Sequence, residues 1–183
     1  QKTGLFKFNI KRNNIITQTG SSSLTPVAGN ISARVVSFTP STINSISTSY
    51  VFSVTLNDTL TTTGCIRITV PIALSFTYSS CQASGGAEVN PTPTCDGSSN
   101  LIQVCNLFST APTVDLQTIT LTIGNIKNPG SLMPTGNFSI SSYYTNTVDN
   151  STLVASGTFF GITASFGTLN LQSVKIIPSV SST

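Results

Sequence analysis

Apolar and polar residues alternate along most of this chain, with a period of two. Between Ser49 and Leu56, the side chains of Tyr50, Phe52, Val54 and Leu56 fall on one side and those of Val51, Ser53 and Thr55 on the other. Ile66, Ile68 and Val70 alternate with Arg67 and Thr69. Ile119, Leu121 and Ile123 alternate with Thr120 and Thr122, and Phe138 and Ile140 with Ser139 and Ser141. Successive side chains of a strand point to opposite faces of its sheet, so the pattern predicts half-buried strands. Shorter β-rich runs lie at 35–38, 101–105, 153–155 and 169–177. Turn-forming clusters separate them: Asn57-Asp58, Gly85-Gly86, Pro91-Thr92-Pro93, Asn128-Pro129-Gly130 and Met133-Pro134. No window carries a helical period. Many short strands with frequent turns predict an all-β antiparallel sandwich.

The pattern also echoes itself. Thr3-Gly4-Leu5-Phe6-Lys7-Phe8 matches Thr135-Gly136-Asn137-Phe138-Ser139-Ile140, about 132 positions apart. Val35-Val36-Ser37-Phe38-Thr39-Pro40-Ser41 resembles Ser173-Val174-Lys175-Ile176-Ile177-Pro178-Ser179 at an offset of about 138, a drift that one loop of variable length explains. This frame predicts one whole module over 33–168, the closing strands of a preceding module over 1–32, and the opening strand of a following one over 169–183. Apolar residues of those end pieces, Phe6, Phe8 and Ile10 and then Leu169, Leu171 and Ile176, are candidate assembly strands. Unpaired strand edges recruit partners, here copies of the chain itself or adjacent modules.

Composition narrows the setting. Hydrophobic residues make up 38% of the 183 residues and the mean hydropathy is +0.24, enough apolar surface to offset chain entropy. Charged residues make up only 7%, where roughly 25% is usual, and Ser and Thr at roughly a third of the chain must cover the surface instead. The net charge of +3 includes Lys2, Lys7, Lys11 and Arg12 near the start, too few cations for a nucleic-acid stripe. No apolar run reaches the roughly 18 residues of a membrane span.

Four cysteines without any His argue for disulfides over metal, since structural zinc wants Cys-x-x-Cys pairs or His partners. Three connectivities are open. The favoured one closes the Gly/Pro loop 82–94 with Cys81–Cys95 and joins flanking strands with Cys65–Cys105; four buried free thiols are the alternative. Asn30, Asn57, Asn137 and Asn150 each begin an Asn-x-Ser/Thr sequon for a covalently attached glycan. Asn57 and Asn150 sit in turn-forming sequence, whereas Asn137 precedes a strand and is expected to be less accessible. Paired cysteines and sequons together predict a secreted, extracellular or cell-surface protein.

Catalytic chemistry has little to work with, and no catalytic residue is assigned. Without His there is neither a Ser-His-Asp nor a Cys-His pair. The acids Asp58, Glu88, Asp96, Asp115 and Asp149 are scattered; only Glu88 and Asp96, flanking Cys95, stand near enough in sequence for a carboxylate pair. No cofactor is called for. Calcium is the one inorganic candidate, through Asp115, Asp149 and Asn150, but no Asp-x-Asp-x-Asp spacing exists and no metal ligand is assigned. Ser84-Gly85-Gly86-Ala87 lacks the Lys-Ser/Thr of a phosphate loop. Tyr78, Tyr143, Tyr144, Phe159 and Phe160 are the candidates for a sugar-stacking platform.

Two runs carry a resemblance: Ser49-Tyr50-Val51-Phe52-Ser53-Val54-Thr55-Leu56, and Gly64-Cys65-Ile66-Arg67-Ile68-Thr69-Val70-Pro71 after a turn. They are followed in order by Cys81, Cys95, the run 119–123, Asn128-Pro129-Gly130-Ser131 and Thr135-Gly136-Asn137-Phe138-Ser139-Ile140. This arrangement resembles the tandem immunoglobulin-like modules of giant surface and filament proteins of single-celled eukaryotes such as ciliates and algae, from about Val35 to Tyr144. The resemblance implies an immunoglobulin-like sandwich, repeated in tandem or completed by strands from neighbouring copies, in a secreted and glycosylated chain without catalytic residues. A structural protomer of a filament, appendage or coat is therefore expected. A surface adhesin or carbohydrate-binding module is the alternative, and it requires one concave site with an exposed aromatic.

Overall fold

A computed structural model of the chain describes residues 6–12, 15–22, 28–76, 80–98, 100–110, 117–146 and 153–167. The described residues form strands and no helix. β1 (Phe6–Arg12) pairs antiparallel with β2 (Ile15–Ser22) in a sheet of their own. The strands that follow are β3 (Gly29–Thr39), β4 (Thr48–Leu56), β5 (Cys65–Thr69), β6 (Ser75–Phe76), β7 (Cys81–Ser84), β8 (Thr94–Ser98), β9 (Leu101–Cys105), β10 (Gln117–Lys127), β11 (Phe138–Tyr143) and β12 (Leu153–Phe159).

These ten build a sandwich. One layer runs β8-β9-β5-β11-β12, and the other runs β3-β4-β10 with β6 and β7 both paired to the far edge of β10. β3 belongs to both layers. Its first residues pair parallel with β12 (Ala155 with Gly29, Ser156 with Asn30), and the rest pairs antiparallel with β4 from Ile31–Leu56 to Thr39–Ser49. The neighbours match those of an immunoglobulin sandwich with a hairpin added beside its third strand, but here the chain visits β6 and β7 before making that β8–β9 hairpin. β3 begins at Gly29 and buries Ile31 in the core, so the sandwich opens ahead of the boundary at 33 expected from the internal echo.

The period-two runs become the strands that face the other layer. Every second residue of β4 is buried, and Ile119, Leu121 and Ile123 of β10 are fully enclosed. From the opposite layer, Ile66, Ile68, Ile102, Val104, Phe138 and Ile140 complete the core. Aromatic rings carry the contact across the gap. Phe138 stacks on its cross-strand partner Phe159 at 4.9 Å, and both meet the edge of Phe52, at 5.9 and 6.3 Å. Phe38, Tyr50 and Phe52 form a row on the other layer.

The strand directions define two ends. At the proximal pole β3, β5, β8, β10 and β12 begin; at the distal pole these strands end and β4, β7, β9 and β11 begin. A buried polar lock organises the distal pole. The Tyr50 hydroxyl donates to Asn128 Oδ1 at 2.7 Å, and Asn128 Nδ2 donates to the carbonyls of Pro40 at 2.8 Å and Thr42 at 2.7 Å. The backbone joins in: Asn128 N–H donates to Ser45 O and Asn44 N–H to Pro129 O. Asn128 is 1% exposed, so this network replaces water for every polar atom of its amide that it engages.

Two substitutions test these features. Gly157 lies on β12 where a Cβ would run into the Ile31 carbonyl, so Gly157→Val is expected to lose about 1–3 kcal/mol in urea denaturation by prising β12 from β3. Tyr50→Phe leaves Asn128 Oδ1 buried without its donor and should cost about 1–3 kcal/mol. Burial pushes the Tyr50 phenol above the ordinary tyrosine range, whereas the unfolded chain ionises near pH 10. The stabilisation is therefore intact below about pH 10 and is lost as pH rises further. Urea midpoints across that range should fall more steeply for the parent chain than for Tyr50→Phe.

Candidate functional site

The two disulfides occupy different structural positions. Cys65 and Cys105 face each other across neighbouring strands β5 and β9, with Cα atoms 4.1 Å apart. Cys81 on β7 and Cys95 on β8, 5.9 Å apart, tie the edge of one layer to the edge of the other. The backbone supports this second staple, since Ala83 N–H donates to Pro91 O within the loop that the bond closes. Gly85 begins that loop at φ 145°, a conformation that favours glycine, and a Cβ there would come within 2.6 Å of Thr118 O.

The sequons are on the surface wherever the structure describes them. Asn30 is exposed on β3, Asn57 in the turn after β4, and Asn137 just ahead of β11. The expectation that Asn137 is less accessible is thus corrected: the strand begins one residue later, and Phe138 turns inward while Asn137 faces solvent. Asn150 lies outside the described residues. So do Asp115 and Asp149, the carboxylates considered for calcium, and the assembly residues Leu169, Leu171 and Ile176. Phe6, Phe8 and Ile10 fall on β1, opposite Ser22, Gly20 and Gln18 of β2.

The candidate acids engage separate partners, and the described aromatics do not converge. Asp96 accepts the Gly97 N–H at 2.7 Å, and the Glu88 carbonyl accepts from Ser109 N–H. Tyr143 and Phe159 are buried in the sandwich, and Tyr78 lies outside the described residues. Tyr144 and Phe160 are exposed but stand at opposite poles, the first after β11 and the second after β12. Among the described residues, Tyr143, Tyr144, Phe159 and Phe160 form no stacking platform.

The outer faces are hydroxyl grids. On the β3-β4-β10 layer, Ser32, Thr55 and Thr118 are aligned across three strands, and the next row is Arg34, Ser53, Thr120 and Ser84. The Thr55 and Thr118 hydroxyls are 3.0 Å apart. A shallow depression of about 350 Å³ there is lined by Ser32, Ala33, Arg34, Ser53, Thr55 and Thr118. Two others, of about 300 and 330 Å³, lie along β7 and the Cys81–Cys95 staple. None of the three is lined by an aromatic side chain, the feature that a sugar-binding module requires. On the other layer the outward row is Asp96, Gln103, Arg67, Ser141 and Ser156. The sequence foretold the hydroxyl-rich surface but not the polar lock or the exposed apolar residues gathered at the distal pole.

The sequence matches no protein-family profile and no curated protein. Among solved structures, the fold is similar to domains D2 and D3 of the major pilin SpaD from Corynebacterium diphtheriae, at 12% identity and a TM-score of 0.45, over 73% of this chain and 51% of that chain. The chain therefore spans about half the length of that pilin structure.

Loop length sets the expected strength of each staple. Cys65–Cys105 spans a separation of 40 residues and Cys81–Cys95 one of 14, so chain entropy predicts losses of about 4 and about 3 kcal/mol when each pair is replaced by Ala. Guanidinium unfolding of the two double variants measures both values; equal losses would point to effects in the folded state instead.

Proposed function

We propose that this chain is a non-enzymatic structural protomer of an extracellular glycoprotein filament, appendage or surface coat, in which sandwiches follow one another head to tail. The observation that carries this reading is the parallel pairing of the first and last strands of the sandwich. Because β3 and β12 run the same way, the chain enters at the proximal pole and leaves at the distal pole. A unit with ends at opposite poles can be threaded in series without doubling back, whereas many self-contained domains bring their termini together.

Other features agree. The β1–β2 hairpin has the Thr-Gly-x-Phe lead-in of β11 and the antiparallel form of β11–β12, so we take it as the closing hairpin of a preceding sandwich. Residues beyond 168 carry the echo of β3, and we take them as the opening strand of a following one. Phe6, Phe8 and Ile10 on one side and Leu169, Leu171 and Ile176 on the other then complete the sheets of neighbours. Two disulfides suit an oxidising exterior, and the exposed Asn30, Asn57 and Asn137 offer attachment points for glycans on a surface that has few charges. The assembly is of the kind that giant surface proteins of single-celled eukaryotes build.

Electron microscopy of the native material is expected to show fibres or a lattice. Its axial repeat should be near the height of one sandwich, roughly 40 Å for eleven-residue strands plus pole loops. Intact mass should fall on deglycosylation. Isolated particles together with an unchanged mass would contradict the proposal.

A further inference from the structure

A group of exposed apolar side chains lies together at the distal pole of the sandwich. Among the described residues, five large hydrophobic residues are exposed on the distal pole: Ile46, Ile72, Met133, Phe160 and Phe166. Ile72 is 98% exposed and Phe160 88%. They sit on four segments that backbone contacts hold together. Ile43 N–H donates to Ser165 O and Ser165 N–H to Ser41 O, joining 40–47 to the tail after β12. Asn44 N–H donates to Pro129 O, which adds the loop after β10. Thr135 N–H donates to Ile162 O, and Gly136 packs beside Pro71, which adds the turn after β5. Side chains at the rims of such a surface would collapse inward if the core could take them, yet these point to solvent. An apolar surface of this kind on an otherwise hydroxyl-covered molecule marks a contact site.

We infer that the distal pole of one sandwich docks onto the proximal pole of a second copy of this chain. The inference rests on the head-to-tail reading above and names the surface that makes the contact. Chain direction agrees with this occupant: the described sandwich starts with Gly29 at the proximal pole and reaches Gly167 beside Thr42 on this distal surface, so copies docked this way run head to tail. Charge agrees with the pairing. Among the described residues, the pole acids Asp58 and Glu88 are both proximal, and Lys127 ends β10 at the distal pole. The proximal pole also presents the exposed aromatic Tyr144, whose carbonyl accepts from the Thr61 hydroxyl and so fixes the loop that carries it. Apolar burial supplies the attraction, and the opposed charges set which pole meets which.

The test uses the full chain with its disulfides formed, once without glycans and once with its native ones; sugars on Asn57 or Asn137 would sit at the two poles, so docking in the native chain requires that both forms associate. Sedimentation across a concentration series should show reversible association. The Ile72→Ser/Phe160→Ser variant should weaken it by roughly tenfold or more, with an unchanged circular dichroism spectrum and melting curve, because both side chains are already in solvent. A benzophenone photocrosslinker at position 160 should be recovered on peptides covering 57–64, 106–110 or 144–146 of another copy. Undiminished association in the variant, or crosslinks to the outer faces of β4 and β10, would overturn pole-to-pole docking while leaving assembly in place. A parent chain that stays monomeric at every concentration would remove both this contact and the filament reading.

Discussion

The parallel pairing of β3 with β12 is the constraint on which the rest of the architecture depends. It is short, covering Gly29 and Asn30 against Ala155 and Ser156, but it closes by backbone pairing the corner between two layers that also meet through the packed core, loops and the Cys81–Cys95 bond. It succeeds because Gly157 has no side chain where the Ile31 carbonyl approaches. By fixing the relative direction of the first and last strands, it also fixes where the chain arrives and departs. Polarity of the whole unit thus follows from one small patch of backbone hydrogen bonds.

Around that corner, the molecule solves the problem of a sparingly charged surface in two ways. Its strand faces are covered by rows of Ser and Thr, which satisfy water without long-range repulsion and let neighbours approach closely. Its ends are unequal. The described proximal loops turn Leu60, Val89, Leu107 and Phe108 into the core and expose Tyr144, while the distal loops carry aliphatic and aromatic residues into solvent. Such a cluster of solvent-facing apolar residues stands out on a molecule whose strand faces are covered by hydroxyls.

Much of the sandwich was legible in the sequence. β4, β5, β10 and β11 announce themselves because each is half-buried, so burial writes a period of two into the residues. β6, β7 and β8 did not, being two to five residues long and containing Ser, Gln, Asp and Gly that become strand only because a partner edge is available. The polar lock was hidden for a different reason. Tyr50 reads as one more inward-facing core residue and Asn128 as a turn former, and nothing local reveals that residues 78 positions apart share a hydrogen bond. The distal surface was equally obscure: Ile72, Met133 and Phe160 are isolated in sequence and meet only once strand directions are known. The cysteine pairing was easier, since a Gly/Pro-rich segment between Cys81 and Cys95 has few other ways to fold.

The position of the staples has a mechanical consequence. Tension applied through the ends of the sandwich pulls β3 and β12 along their own axes in opposite senses, loading their hydrogen bonds in shear so that many must break together rather than one at a time. Should they give way, the chain can lengthen before Cys65 and after Cys105 but not between them. The intervening separation of 40 residues, roughly 140 Å of contour length, stays locked out of the extension. Such a unit would lengthen under load only through the segments on either side of the bridge, while the loop that the bridge closes stays out of the extension.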